Sequence, residues 1–194
     1  MLFRFASLSP VSQVFAAALA RLASVALYDL LTFVLLHLTG AQLQGSVWVS
    51  ALYFPAALIV FFVFTGSLWA VAGIALGSFI YATIVRDLPL PMDALLAMPS
   101  AAALLITMIF QQFVFAEGRG VRLFRQLAYW QIATVSAIYA FWNFTLYYVA
   151  FSLYSDALQT VGILNLPDMA AMFAGDFAGS AILLSLARFF AGRN

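Results

Sequence analysis

The feature that most constrains this chain is a succession of apolar stretches, each about as long as a bilayer is thick. A membrane-spanning α-helix needs roughly 20 mostly apolar residues. The short connections between the stretches hold most of the proline, glycine and charge. The stretches predict about six transmembrane helices, at Val11–Leu38, Val47–Phe64, Leu68–Val85, Ala94–Phe115, Leu127–Tyr154 and Pro167–Phe190. We therefore expect an all-α polytopic membrane protein in which residues 1–194 form one integral membrane domain.

Composition supports the same class of protein. The chain is 66% hydrophobic and 8% charged, whereas soluble domains carry about 25% charged residues. This small number of charged side chains cannot cover a water-exposed surface. Lipid is therefore the expected solvent for most of the surface. The sequence has no cysteine, which excludes disulfides, thiolate metal sites and thiol redox chemistry. A formal net charge of +1 gives no reason to expect a nucleic-acid partner.

The arginines predict the orientation, because basic loops stay on the cytoplasmic side of a membrane. With the N-terminus inside, the opposite side receives only Arg86. The cytoplasmic side receives Arg4, Arg119, Arg122, Arg125, Arg188 and Arg193. This asymmetry predicts an even number of spans with both termini in the cytoplasm.

Ionisable residues inside the hydrocarbon are costly, so each needs a partner or a purpose. At 1.5 Å per residue, Arg21 lies roughly 15 Å from the inner start of the first helix. Asp176 lies roughly 13 Å from the outer start of the last helix. In a core about 30 Å thick these depths nearly coincide. We predict an Arg21–Asp176 ion pair between the first and last helices, serving either as static packing or as a signal-coupled switch.

Further polar residues offer a candidate cavity. Asp29 lies outward of Arg21 on the first helix, and His37 lies near the outer interface. If the chain binds a metabolite, an outward-facing cavity lined by Asp29, Trp48 and Asn143 is expected. A single histidine cannot supply two axial haem ligands, and no metal-binding cluster accompanies it. No cofactor or metal is therefore predicted.

Small residues and a proline predict where helices pack closely. Gly73 and Gly77, like Gly175 and Gly179, have the four-residue spacing that permits close approach of membrane helices. Pro55 is predicted inside the second helix, where it should kink or interrupt the backbone hydrogen bonding. Internal packing is the favoured interpretation of all five residues, with a partner-binding face as the alternative for the glycine pairs.

Signatures of well-marked enzyme classes are missing from the sequence. It contains no Gly-x-Ser-Gly elbow with a partner histidine, no His-Glu-x-x-His helix, no P-loop and no Gly-x-Gly-x-x-Gly turn. Paired carboxylates that could act as acid and base do not occur on one helix. We therefore expect a protein that is not an enzyme.

Two stretches carry a family resemblance. The segment Tyr53–Ala57, followed by Gly66, Trp69 and Leu76–Ser78, resembles the "W-x-P-x-G … G … W-P … L-G" hairpin of the first-described membrane-associated sensor domain family. The stretch Gly175–Gly179 is similar to that family's closing "G-D-x-x-G" helix. Members of the family are integral membrane modules that precede histidine kinases and diguanylate cyclases.

The resemblance implies a signalling module of the bacterial cytoplasmic (inner) membrane. This chain departs from the pattern at Ala57, where a glycine is usual, and at Ala70, which replaces the proline after Trp69. We expect no kinase or cyclase domain beyond the last helix. A sensor-like module of this kind would act as an accessory subunit, docking to a partner membrane protein through its helix faces.

Two other functions stay open on sequence grounds. The substrate-binding subunits of energy-coupling-factor transporters are also six-helix proteins of about this size, and they dock through Ala-x-x-x-Ala faces. Ala16 and Ala20 have that spacing. The third candidate is a structural or assembly subunit of a respiratory or photosynthetic complex, which predicts lipid and pigment or quinone contacts without a pocket of its own.

Overall fold

The computed structural model describes residues 7–39, 53–85, 90–114, 124, 126–153 and 166–191. Across these ranges the chain is helical, without a β-strand. The helices are α1 (Pro10–Thr39), α2 (Pro55–Thr65), α3 (Leu68–Val85), α4 (Leu90–Val114), α5 (Tyr129–Leu153) and α6 (Leu166–Ala191). The all-helical class predicted from the sequence is confirmed.

Helix α2 lies at the centre of the bundle. The other helices form an arc around it, in which α1 packs against α3, α3 against α4, α4 against α5, and α5 against α6. From the centre, α2 contacts α6, α4, α1 and α5. Its sequence is apolar on every side, as expected for a helix surrounded by other helices, and Ile59, Val60 and Val63 are fully buried. The arc leaves a gap between its two ends, because α1 and α6 have little direct contact.

The start of α2 corrects one expectation. The sequence predicts a helix from Val47 with Pro55 in its interior, but the structure begins α2 at Pro55, and Tyr53 and Phe54 are not helical. Proline suits the first position of a helix, because its fixed φ is already helical and its missing N–H would have no intrahelical partner there. Pro55 therefore starts the helix instead of kinking it. Residues 47–52 lie outside the described ranges.

A tight turn joins α2 to α3. Gly66 has a φ of 66°, in the left-handed region that glycine adopts without a steric penalty. Its N–H donates to the Val63 carbonyl at 3.2 Å and closes the helix. The Ser67 hydroxyl then donates to the side-chain carbonyl of Gln13 on α1. This bond places the turn beside the first part of α1.

Glycines allow two close helix contacts. A Cβ on Gly73 would lie 2.5 Å from the Ala17 Cβ, and one on Gly77 would lie 2.7 Å from the Ala18 carbonyl oxygen, so α3 approaches α1 at both positions. A Cβ on Gly179 would lie 2.5 Å from the Tyr53 carbonyl oxygen. These contacts bring α6 against the segment that precedes α2.

In the described ranges, four helices are long and apolar enough to cross a membrane. The candidate spans are Pro10–Val34, Asp93–Gln112, Tyr129–Leu153 and Met169–Ala191. Two shorter apolar helices, Pro55–Thr65 and Leu68–Ile84, complete the bundle. Most helix bounds agree with the sequence prediction to within a few residues.

Candidate functional site

Arg21 lies in the interior on α1, with 5% of its surface exposed. Its Nε donates to the Ser78 hydroxyl on α3 at 3.1 Å. The guanidinium carbon lies 5.7 Å from the centroid of the Tyr53 ring, within the range of a cation–π contact. The Nη1 atom is buried and has no hydrogen-bond partner among the described residues. Arg21 therefore joins α1 to α3 and to the segment before α2, with one donor left over.

Asp176 is buried on α6, with 1% of its surface exposed. Its Oδ2 accepts a hydrogen bond from Asn143 Nδ2 on α5 at 2.6 Å. Asn143 Oδ1 in turn accepts from the Ser100 hydroxyl on α4 at 3.1 Å. One chain of side-chain hydrogen bonds therefore connects α4, α5 and α6 inside the bundle.

Tyr53 connects these two groups of side chains. Its backbone N–H donates to the Gly175 carbonyl at 3.1 Å, next to Asp176, while its ring lies beside Arg21. Arg21 and Asp176 both lie next to Tyr53, and the hydrogen bonds described for their side chains run to Ser78 and to Asn143 instead of to each other. We call Arg21, Tyr53, Ser78, Ser100, Asn143 and Asp176 the polar cluster.

Of the three residues of the predicted outward cavity, the structure describes Asp29 and Asn143. Asp29 is exposed on α1 and accepts a hydrogen bond from Tyr81 Oη on α3. Asn143 is 2% exposed and belongs to the polar cluster. Trp48 and the His37 side chain lie outside what the structure describes. Asp29 and Asn143 thus occupy different surroundings, one at the surface and the other in the core.

An apolar groove follows the gap between α1 and α6. Its volume is about 390 Å³, and α2 forms its floor. Leu27 and Leu31 line it from α1, Phe61 from α2, and Leu183 and Ala187 from α6. Tyr28 also lines the groove, and its ring meets the edges of the Tyr53 and Phe54 rings at centroid distances of 5.2 and 6.4 Å. The groove and the polar cluster therefore share an aromatic wall.

Sequence reasoning identified the charged members of the polar cluster and missed its hydroxyl-bearing members. Arg21, Asp176 and Asn143 are visible as polar residues in apolar stretches. Ser78 and Ser100 are not, because serine is common in membrane helices and its partners depend on tertiary contacts. A usable signal was the position of Ser78 directly after Gly77, on a face that approaches α1. The groove has no sequence signal, since it depends on which helices are neighbours.

Within the described ranges, histidine and acidic side chains do not form a group of three or more that could hold a metal ion. The arrangement offers hydrogen bonding, a buried cation and an apolar groove instead.

The fold and this site define an all-helical membrane protein with a polar interior and a lateral opening. Comparisons with protein families, with characterised proteins and with solved structures find no match to the chain. The polar cluster and the groove are therefore the basis on which its function is inferred.

Proposed function

We propose that this chain is a stand-alone integral membrane module of the sensor or accessory type, which acts by docking to a partner membrane protein. It crosses the bacterial inner membrane as six helices, with both termini in the cytoplasm, and it binds instead of catalysing. The observation that carries the proposal is the polar cluster, which links α1, α3, α4, α5 and α6 to the segment before α2.

The free-energy cost of placing charged side chains inside a membrane bundle favours a functional role for the polar cluster. A charged side chain at the centre of a membrane helix costs about 2.5–3.5 kcal/mol on insertion scales. Apolar and small residues could pack the same helices without that cost. Charges that are retained inside a membrane bundle commonly mark a site of function. A change of charge or of a bound molecule at this cluster would act on all the linked helices together.

The way in which a change at the polar cluster would be transmitted to another protein also favours docking. The described chain is almost entirely helical, so a rearrangement of the bundle is expressed chiefly as movement of helix faces. Many of these faces present large apolar side chains outward, including Phe15 and Leu19 on α1 and Ile182 and Leu186 on α6. A partner that responds to the movement therefore has to contact the module within the bilayer.

The six-span topology is supported by the packing of α3 along α1. Gly73 lies beside Ala17, and the Tyr81 hydroxyl reaches Asp29, so about eight residues of α3, or about 12 Å, follow α1 in the same direction. Helix α2 runs back from the Gly66 turn for 11 residues, or about 16 Å. We propose that α2 and α3 are the second and third crossings.

Purification of the tagged native protein in mild detergent, after in-cell cross-linking, tests this function. We expect a membrane protein to co-purify in stoichiometric amount. Asp176→Asn should weaken its retention severalfold, because the carboxyl group that holds α5 to α6 is altered. Asp29→Asn is the matched control, since it makes the same change at the surface of α1, and it should retain the partner. A chain that remains alone in both preparations contradicts docking.

A further inference from the structure

We propose that the groove between α1 and α6 binds one long-chain carboxylic acid from the bilayer, with the acyl chain against α2 and the carboxylate directed toward Arg21. The inference goes beyond docking to a partner, because it assigns a ligand to the module itself. It rests on the shape of the groove, the chemistry of its walls and the unpartnered donor of Arg21.

The size of the groove suits a small molecule. Its volume of about 390 Å³ lies within the range of about 300–1,000 Å³ that is typical of small-molecule sites. The groove can hold a single acyl chain, whose remainder continues into the bilayer.

The side chains that line the groove favour an apolar ligand. Leucine, phenylalanine and alanine side chains supply most of the surface. The lining hydroxyl of Ser24 is already used, because it donates to the Arg21 carbonyl at 2.9 Å. The chain of the ligand therefore meets hydrocarbon on both sides, and its binding is driven by burial of apolar and aromatic surface.

Arg21 supplies the reason for a carboxylate head. Its Nη1 is buried without a hydrogen-bond partner in the described ranges, and a buried donor left unsatisfied is costly. The carboxylate oxygen Oδ2 of Asp176 accepts from Asn143, and the hydrogen bonds described for Asp176 do not include one from the guanidinium. A guanidinium binds a carboxylate through charge-assisted hydrogen bonds, which are roughly twice as strong as neutral ones.

The rings of Tyr28 and Tyr53 lie between the Arg21 guanidinium and the groove. Arg21 lies against the ring of Tyr53, and the ring of Tyr53 meets that of Tyr28, which lines the groove. Arg21 also lies one helical turn before Ser24, the first lining residue of α1. The Tyr53 ring therefore connects the guanidinium to a side chain that lines the groove, and we place the head group at this end. The ligand enters sideways from the bilayer, through the gap that α1 and α6 leave open.

Native mass spectrometry of the full chain in phosphatidylcholine nanodiscs, titrated with palmitate or hexadecanol, tests the proposal. The two probes share a C16 chain and differ in the head group. We expect palmitate to bind saturably at one molecule per chain, and hexadecanol to bind at least about tenfold more weakly, a ratio of 1.4 kcal/mol. Equal affinities, or palmitate uptake without saturation, would overturn the carboxylate assignment.

Two substitutions locate the site. Ala187→Trp fills the groove and should reduce palmitate affinity at least about tenfold. Ala174→Trp is the matched control, because Ala174 is also an exposed alanine of α6 but does not line the groove. Unchanged binding by Ala187→Trp overturns the site. So does in-cell capture of a protein, instead of a fatty acid, by a photoreactive residue at position 187.

Arg21→Gln separates a role in binding from one in folding. A folded Arg21→Gln protein should lose the preference for palmitate over hexadecanol, because the neutral side chain no longer favours an anion. An unchanged preference refutes the role of Arg21, and if this variant does not fold, the Ala187→Trp comparison decides. Docking is tested separately from ligand binding. If the Ala187→Trp protein loses palmitate binding but still co-purifies with its partner, the proposed docking function stands.

Discussion

At the scale of single residues, the interior of this bundle is organised by hydrogen bonds between helices. Asp176, Asn143 and Ser100 satisfy one another across α6, α5 and α4. Arg21 uses one donor on Ser78 and keeps another unpartnered in the described structure. Buried polar groups generally find partners, so an orphaned donor that the Tyr53 ring connects to the lining of an open groove indicates where a ligand or a rearrangement would act.

The coupling between the two buried charges can be measured directly. We expect Asp176→Ala to destabilise the protein by about 1.5–3 kcal/mol, the range for a hydrogen bond to a charged group. Adding Arg21→Ala should restore part of that loss, because the single variant leaves a buried cation without a nearby anion. The double-mutant cycle should give a coupling of about 0.5–3 kcal/mol.

Thermal or denaturant unfolding in detergent supplies the four free energies for this cycle. Asp29→Ala combined with Arg21→Ala is the control pair, since Asp29 bonds Tyr81 at the surface of α1. This pair should show a weaker coupling than Arg21 with Asp176. Additive losses for Arg21 and Asp176 would show that the two charges act independently and would contradict a coupled pair.

The sequence identified the charged residues because charge is rare in an apolar helix. Arg21 and Asp176 follow from that rule and from depth arithmetic along two helices. Their hydrogen-bond partners do not follow, because a serine at position 78 or 100 looks the same whether it faces lipid or another helix. Tyr53 was missed for another reason: the segment was predicted to be helical, whereas the structure leaves it outside α2.

At the scale of elements, some helix ends could be predicted from the sequence and others could not. The bounds of α3 and α6 were predicted closely, because continuous apolar runs end at charged or turn residues. The start of α2 was not, because Tyr53-Phe54-Pro55 is apolar throughout and only backbone geometry separates the helix from the residues before it. Proline marks that boundary, and it supports two interpretations, a kink or a first turn, between which the sequence does not decide.

Gly179→Ala tests the contact between α6 and the segment before α2. The added Cβ would lie 2.5 Å from the Tyr53 carbonyl oxygen and 2.7 Å from its carbonyl carbon. Because both are backbone atoms, the two elements must move apart, and overpacking of this kind costs about 1–3 kcal/mol. Thermal unfolding in detergent should show the loss.

The matched control for this prediction is Ala174→Val, which adds volume on the exposed face of the same helix. We expect it to change stability by less than about 0.5 kcal/mol, as is usual for substitutions away from packed sites. If Gly179→Ala is as stable as the wild type, the close approach of α6 to Tyr53 is not required, and Gly179 has no packing role at that position.

At the scale of the whole molecule, the arc of helices around α2 produces the groove. Each helix of the arc packs on the next, and the two ends, α1 and α6, remain apart. Hydropathy predicts how many apolar segments exist but not their order around a centre. The groove was therefore beyond sequence reasoning, although the residues that line it, such as Leu27 and Leu183, are ordinary apolar residues of predicted helices.

The absence of cysteine makes the proposed topology directly testable. Ser9 precedes α1, and Ser152 lies near the end of α5; both are exposed in the structure. With six spans and cytoplasmic termini, Ser9→Cys faces the cytoplasm and Ser152→Cys faces the opposite side. A membrane-impermeant maleimide applied to intact spheroplasts should therefore label Ser152→Cys and leave Ser9→Cys unlabelled until the membrane is opened.

Arginine-rich connections resist transfer across the membrane, so they are expected to keep the N-terminal side of α1 in the cytoplasm. The wild-type chain is the blank, since it offers no thiol at all. Labelling of Ser9→Cys instead of Ser152→Cys in intact spheroplasts would invert the orientation. Labelling of both, or of neither before lysis, would place the start of α1 and the end of α5 on one side, which requires an even number of crossings between them. The six-helix topology has five, so that result would show that an odd number of the first five helices, one or three of them, does not cross as proposed.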